Sequence, residues 1–360
     1  MISICFVLGT RPEIIKLAPL IKLCKKKKIK STIIHTGQHF DYSMEGRFFR
    51  DLLVKPKYFL KLNNSRSYNK NFIKKAVSKL TDYYKLLNPD YIINQGDTNS
   101  VLASALAYKK VRSEINSKLV HVEAGIRSFD KKMPEEINRI KADKISDILF
   151  APTKIAKRNL INEKLTKKKI YVVGNTISDT IKQNFSKFKK KNNFKKFFFL
   201  TLHRPETVDH ANRLKTVIKT IINLSKELKI KIIFPIHPRT KKKLNNLKIN
   251  NLNKLFIIKP CSYSASLRYQ KKSKLVLTDS GGMQEEACIL KTPCVTIRNN
   301  TERPETIKIK SNILTGYNKK LIKKGIYKML KSEKNWENPY GKFVSNKILK
   351  VLIKEYKDEI

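Results

Sequence analysis

The sequence predicts an α/β protein of two doubly wound domains, each a mostly parallel sheet with helices on its faces. Three observations carry this expectation. Short apolar runs alternate with longer segments of helical spacing along the chain. The 360 residues exceed one ordinary core and suggest about two domains. Of only eleven glycines, seven (Gly9, Gly37, Gly96, Gly125, Gly174, Gly281 and Gly282) fall at or just after the end of an expected strand.

In chain order, the apolar runs predict strands at 2–8, 30–35, 91–94, 118–122, 148–150 and 170–173. A second series follows at 197–202, 231–235, 256–258, 275–277 and 294–297. The first run is apolar but too short for a signal sequence or a membrane span and carries no basic leader, so it reads as a buried strand. Between the strands, helical spacing marks 14–23, 100–109, 135–145 and 212–228. The two strand–helix series meet near 165–190. A chain this poor in glycine places it where the backbone needs positive φ or close approach to a ligand. In open α/β sheets ligands bind at the carboxyl ends of strands, so the glycine positions draw a site from both halves.

Composition narrows the function. Hydrophobic residues make up 41% of the chain, which argues against disorder. The charge is unusual: 78 Lys and Arg against 29 Asp and Glu give +49. A nucleic-acid role would interleave aromatics and arginines with the lysines or show a known module, and neither is present. The basic clusters at 25–28, 187–196 and 241–254 instead mix Lys with Asn and Ile, as AT-rich codons do, and read as solvated surface attractive to anionic substrates. Five cysteines without a CxxC pair read as core thiols of a cytoplasmic protein. Six scattered histidines without HExxH argue against a metal.

Acidic residues are scarce, so those beside the strand-end glycines are informative. Gln95-Gly-Asp-Thr-Asn99 follows one strand, His121-Val-Glu-Ala-Gly125 closes the next, and Met133-Pro-Glu-Glu-Ile-Asn-Arg139 starts a helix with Pro in its first turn. Glu135 and Arg139 would then be i,i+4 neighbours. The bland alternatives are an N-cap for Asp97 and a first-turn carboxylate for Glu135. Asp97, Glu123 and Glu135 together suggest acid–base chemistry. Gly9-Thr-Arg-Pro-Glu13 opens a helix that carries Lys16. Asp279-Ser-Gly-Gly-Met-Gln-Glu-Glu286 exposes N–H groups at a helix start, a ready phosphate site that is neither GxxxxGK[ST] nor GxGxxG. His203-Arg204 and Arg303 add anion-binding candidates.

These segments, with Gly37-Gln-His39, Gly174-Asn-Thr176 and Thr301-Glu-Arg-Pro-Glu305, resemble the non-hydrolysing UDP-N-acetylglucosamine 2-epimerases, in order from residue 2 to about 310. The resemblance implies a fold similar to glycosyltransferase-B: a Rossmann-like domain at 1–172 with the carboxylates, a UDP-binding one at 173–340, a cleft between them, and a C-terminal helix at 341–360 crossing back. It also implies a cytoplasmic homodimer that needs no metal or nicotinamide. By the same resemblance, Asp97, Glu123, Glu135 and His203 are catalytic. Arg11, Lys16, Tyr263, Ser280, Gly281, Gly282, Glu286 and Arg303 bind UDP or its sugar. The implied reaction is C2 epimerisation through loss and return of UDP, supplying a surface polysaccharide.

Some positions depart from the family pattern. Ser266 stands where an aromatic often lies near the uracil, and Lys291 where a helix-ending Gly is common. Phe40-Asp-Tyr42 replaces the glutamines of a regulatory UDP-sugar site. The rival readings are a sister enzyme for a UDP-2,3-diacetamido sugar or its uronic acid, a hydrolysing epimerase, and a basic nucleic-acid binder. Ser280-Gly-Gly282 favours the plain N-acetylglucosamine substrate over the diacetamido one.

Overall fold

The computed structural model describes residues 2–38, 49, 52–62, 70–185, 197–247, 249 and 252–358. His39, the Phe40-Asp41-Tyr42 departure and the basic stretch 187–196 lie outside them. The chain forms two compact units, one of Met1–Gln183 with Tyr340–Ile360, the other of Asn184–Pro339.

The first unit holds a parallel sheet of seven strands: β1 (Ser3–Leu8), β2 (Lys30–His35), β3 (Tyr58–Phe59), β4 (Tyr91–Gln95), β5 (Lys118–Val122), β6 (Ile148–Ala151) and β7 (Lys169–Val172). Their order is β3-β2-β1-β4-β5-β6-β7. Helices α1 (Arg11–Lys26), α2 (Lys70–Leu87), α3 (Asn99–Val111), α4 (Pro134–Ile145), α5 (Lys154–Asn162) and α6 (Ile177–Phe185) complete the crossovers. Both faces of β1 are covered. Ile4, Phe6 and Leu8 join one core cluster with Ile14 and Leu17, while Cys5 and Val7 join another with Leu80, Tyr84 and Val101. That two-sided burial explains why the strand reads as a continuous apolar run.

The second unit has a six-stranded parallel sheet: β8 (Phe197–Thr201), β9 (Lys231–Pro235), β10 (Leu255–Ile258), β11 (Leu275–Thr278), β12 (Cys294–Thr296) and β13 (Asn312–Leu314). Their order is β10-β9-β8-β11-β12-β13. Its helices are α7 (Pro205–Val208), α8 (Ala211–Glu227), α9 (Pro238–Asn245), α10 (Tyr263–Lys272), α11 (Gly281–Ile289), α12 (Pro304–Lys308) and α13 (Lys319–Leu330). Every strand expected from the sequence is present, with ends shifted by a residue at most. The short β3 and β13 were not foreseen. Two or three residues carry no period, and they become strands only by pairing with β2 and β12.

The final helix, α14 (Val344–Lys357), belongs to the first unit. The Asn175 N–H donates to the Tyr340 carbonyl at 2.9 Å, and the Asp179 carboxylate accepts from the Val344 and Ser345 N–H groups at 3.2 and 2.7 Å. These bonds keep the chain with the first unit past residue 172 and cap α14. Gly174 (φ +100°) permits the approach, since a Cβ there would lie 2.3 Å from the Tyr340 carbonyl oxygen. Pro19 inside α1 cannot donate to the Ile15 carbonyl, and the Thr180 hydroxyl does so instead at 2.7 Å. No described helix is long and apolar enough to cross a membrane. Four of the cysteines, Cys5, Cys24, Cys288 and Cys294, are buried as core thiols.

Glycine scarcity has a structural counterpart. Five helices end with a lysine in the left-handed region: Lys28, Lys164, Lys229, Lys291 and Lys310, at φ between 52° and 61°. Each sits in a Schellman turn. For example, the Lys291 N–H donates to the Cys288 carbonyl at 3.1 Å and the Thr292 N–H to that of Ala287 at 2.9 Å. Lysine complements the helix dipole there, but its Cβ is strained. Replacing all five by glycine is expected to stabilise the fold by about 0.5–1 kcal/mol per site, the relief of strain being partly offset by a freer unfolded chain. A rise in thermal midpoint checks this. No rise, or a fall, would mean that the lysine–dipole contacts outweigh the strain.

Candidate functional site

Strand order reverses direction between β1 and β4 in the first sheet, and between β8 and β11 in the second. Such switch points open a crevice at the carboxyl ends of the strands.

At the first switch point β1 runs into Gly9-Thr10 and the start of α1. A Cβ on Gly9 would lie 2.0 Å from Thr36 Oγ1 and 2.1 Å from Ser100 Oγ, so only glycine passes. Glu13, 1% exposed, gathers this turn. Its carboxylate accepts from the N–H groups of Gly9 and Thr10 at 2.6 and 2.7 Å, and from the Thr98 hydroxyl, beyond β4, at 2.5 Å. Burial nevertheless pushes its carboxyl up to about 7. Arg11 occupies the first turn of α1, half-buried, and Lys16 lies buried one turn further on.

Lys16 reaches Glu123. Its Nζ stands 2.5 Å from Glu123 Oε2, and Gln95 Nε2 donates to the same oxygen. Glu123 closes β5 with φ +72°, a left-handed backbone uncommon for glutamate and typical of a functional site. Its backbone is anchored by an N–H bond to the Phe150 carbonyl at 3.0 Å. Thus a residue expected to bind substrate and one expected to be catalytic form one buried ion pair.

Asp97 follows β4, the neighbour of β5, and its side chain is 27% exposed. It is not a helix N-cap. Thr98 takes that position in α3, its hydroxyl accepting from the Val101 N–H at 3.4 Å. Asp97 instead pairs with Arg139 from α4, while Asn138 Nδ2 donates to its carbonyl at 3.1 Å. The i,i+4 geometry suggested Glu135 as the neighbour of Arg139, but the fully buried guanidinium is directed to Asp97. Glu135 stands half-buried in the first turn of α4. Next to it, Glu136 holds the Ser128 and Phe129 N–H groups at 2.8 and 3.0 Å and so shapes the preceding loop.

At the second switch point Asp279, wholly buried, accepts from the N–H groups of His203 and Arg204 at 3.0 and 2.9 Å. The His203 ring remains 40% exposed, with Nδ1 3.5 Å from the same carboxylate. Ser280 is the N-cap of α11, and Gly281 and Gly282 form its first turn. A Cβ on Gly281 would lie 3.2 Å from Glu302 Oε2, and nothing crowds Gly282 within 4 Å. Arg303 pairs with buried Glu285. Glu302 takes a two-pronged contact from Arg298, at 2.9 and 3.1 Å, with Arg204 3.9 Å away. Deeper in α11, Glu286 accepts from Gln270 Nε2 at 2.6 Å. Tyr263, buried at the start of α10, has its phenol pushed well above the ordinary value by burial and by the Glu286 carboxylate. Ser266, on the same helix, accepts from Gln270 at 3.4 Å. Among the described residues no cluster of three His, Cys, Asp or Glu could hold a metal ion.

Each unit thus joins strand-end backbone N–H groups, cations and carboxylates at its switch point. The second unit offers an anion site, a helix start beside arginines. The first offers carboxylates held by fixed cations, suited to proton transfer. Sequence reasoning missed Gln95, Asn138, Asp279, Glu285 and Glu302 as partners. All five lie inside quoted segments, but nothing in a linear pattern shows which side chain bridges to which.

Glu302 yields a pH dependence. Burial alone would raise its carboxyl, but Arg298, Arg204 and Arg303 hold it far below the usual 4.5. The unfolded chain therefore takes up this proton first as pH falls below about 4.5, so the stabilisation is complete at neutral pH and is lost in acid. Glu302→Gln is expected to lower the thermal midpoint at pH 7 and to flatten its fall between about pH 5 and 3. Parallel pH profiles for both proteins would show that Glu302 carries none of it.

Comparison with known proteins places this geometry. The family model described as UDP-N-acetylglucosamine 2-epimerase matches residues 21–353. The chain is 45% identical over 357 residues to the UDP-N-acetylglucosamine 2-epimerase of Methanocaldococcus jannaschii, covering 94% of this chain and 95% of that protein. The crystal structure of the M. jannaschii UDP-GlcNAc 2-epimerase in complex with UDP-GlcNAc and UDP superposes with a TM-score of 0.90 at 43% identity, covering 98% of this chain and 100% of that one. The UDP-2,3-diacetamido-2,3-dideoxy-D-glucuronate 2-epimerase of Pseudomonas aeruginosa is 35% identical over 327 residues, 89% of this chain and 90% of that protein. The chain belongs to the UDP-N-acetylglucosamine 2-epimerase family.

Proposed function

We propose that this member of the family interconverts UDP-N-acetylglucosamine and UDP-N-acetylmannosamine, as a cytoplasmic homodimer supplying a surface polysaccharide. The observation that carries the reading is Glu123, a buried carboxylate on left-handed backbone held by Lys16 and Gln95, with Asp97 at the end of the adjacent strand. A carboxylate takes the proton from C2 of the sugar as the C1–O bond to UDP breaks. The electron pair of the C–H bond becomes the C1–C2 double bond of 2-acetamidoglucal, and the bonding pair leaves with the diphosphate. Return of a proton to the opposite face of C2, with attack of the diphosphate oxygen at C1, gives the epimer. Two faces must be served, which gives more than one of Asp97, Glu123 and Glu135 a role.

UDP gains negative charge as it departs, and donors fixed in advance stabilise that charge. In this reading Arg303, His203, Arg11, Ser280 and the N–H groups of Gly281 and Gly282 supply them. The ribose hydroxyls donate to Glu286, and Tyr263 frames the uracil. The Lys16–Glu123 pair orients the carboxylate and offsets the cost of a buried charge in the site. Lys16 then serves the substrate through that pair.

The reaction is tested by incubating the protein with UDP-N-acetylglucosamine in deuterated water and following the sugar by proton NMR. Deuterium at C2 together with a UDP-N-acetylmannosamine signal is expected. Free N-acetylmannosamine would move the protein to the hydrolysing type. Absence of exchange, with exchange of the diacetamido uronate analogue, would assign the substrate named for the P. aeruginosa relative. In the same assay, Asp97→Asn and Glu123→Gln are each expected to lose at least about tenfold in kcat while UDP affinity, measured by calorimetry, stays within about threefold. Near-normal turnover in both would remove these carboxylates from the chemistry.

A further inference from the structure

His121 lies in the middle of the first sheet, one residue before the end of β5, and is completely buried. Both ring nitrogens face oxygen. Nδ1 is 2.7 Å from Asp143 Oδ1, and Nε2 is 2.8 Å from the Gly96 carbonyl. A peptide carbonyl can only accept, so Nε2 carries a proton. At Nδ1 the proton belongs either to the ring or to Asp143. The other Asp143 oxygen already accepts from Arg127 Nη2 at 2.6 Å and from the Gly125 N–H at 3.1 Å, and both favour the ionised carboxylate. Arg127 is in turn held by Glu163, at 2.6 and 2.8 Å. The four charges His121, Asp143, Arg127 and Glu163 then sum to zero, so the ring can be charged without leaving a net buried charge.

We infer that His121 is a positioning residue that donates from both ring nitrogens, pins the Gly96–Asp97 peptide and thereby fixes the Asp97 carboxylate. Gly96 has φ +88°, its N–H donates to the Val122 carbonyl at 3.1 Å, and its carbonyl takes the imidazolium proton. Gly96, the residue that leads into Asp97, is thus tied through its N–H and its carbonyl to β5, the strand that runs into Glu123. Asn138 secures the next carbonyl and Arg139 the carboxylate itself. Burial opposes ionisation of Asp143, yet the charges of His121 and Arg127 hold its carboxyl below the ordinary range, in keeping with an ion pair. A charge-assisted bond to the Gly96 carbonyl is stronger than a neutral one, and loss of the donor would leave that carbonyl buried without a partner.

The effect on catalysis rests on the proposed epimerase reading, whereas the protonation state does not, and two experiments separate them. In the substrate-free native protein at neutral pH, long-range proton–nitrogen NMR of the six histidines is expected to show the His121 ring with both nitrogens protonated. That signal should vanish in His121→Gln. A His121 ring protonated at only one nitrogen would overturn the inference whatever the protein catalyses. For turnover, the terminal amide of His121→Gln reaches toward the Gly96 carbonyl as Nε2 does, while that of His121→Asn reaches only toward Asp143. Gln is expected to keep kcat within about threefold, and Asn to lose about tenfold or more with KM little changed. Equal losses in the two variants, or a loss carried by KM, would reduce His121 to a structural residue. Failure of the native protein to epimerise either UDP-sugar would sink the functional reading and leave the NMR result to decide the imidazolium.

Discussion

Both units depend on one device, a buried carboxylate that collects backbone N–H groups where a parallel sheet splits. Glu13 ties Gly9 and Thr10, beyond β1, to Thr98, beyond β4. Asp279, beyond β11, ties His203 and Arg204, beyond β8. At a switch point the flanking strands diverge and leave donors that no neighbouring strand can satisfy. A carboxylate supplies several acceptor positions at once and pulls the two strand ends into a defined spacing. Arg11, Lys16, Asp97 and Ser280 inherit that spacing, because each lies one to a few positions away from the tie.

The electrostatics of the first unit follow from the same geometry. This chain carries a large excess of positive charge, yet three of its central carboxylates face particular cations: Glu123 faces Lys16, Asp97 faces Arg139, and Asp143 faces His121 and Arg127. Burial makes an unpaired charge costly, so these acids are held by cations, while Glu13 and Glu136 are held by backbone N–H groups. The rest of the excess is spread over solvated faces and helix ends, where lysine also fills left-handed positions that a glycine-richer sequence would give to glycine.

Family membership and the local chemistry agree without being the same argument. The sheet orders and the close superposition establish the fold. The paired acids, the left-handed Glu123 and the glycine-led helix beside Arg303 indicate what such a fold does here. A fold of this kind hosts many activities, so the site carries the functional weight.

Much of this was legible in the linear sequence. Eleven strands and four helices followed from apolar runs and spacing, and the glycines beside Asp97, Glu123 and Ser280 marked the strand ends where ligands bind. Those features are local, set by burial of each strand on both faces and by backbone freedom that only glycine supplies readily. The partnerships were decided by the tertiary structure. Arg139 had Glu135 within reach on its own helix and pairs with Asp97, 42 positions away, while Lys16 crosses 107 positions to Glu123. Spacing along a helix lists which pairings are possible. Only packing, which decides the neighbours that a buried charge meets, selects among them.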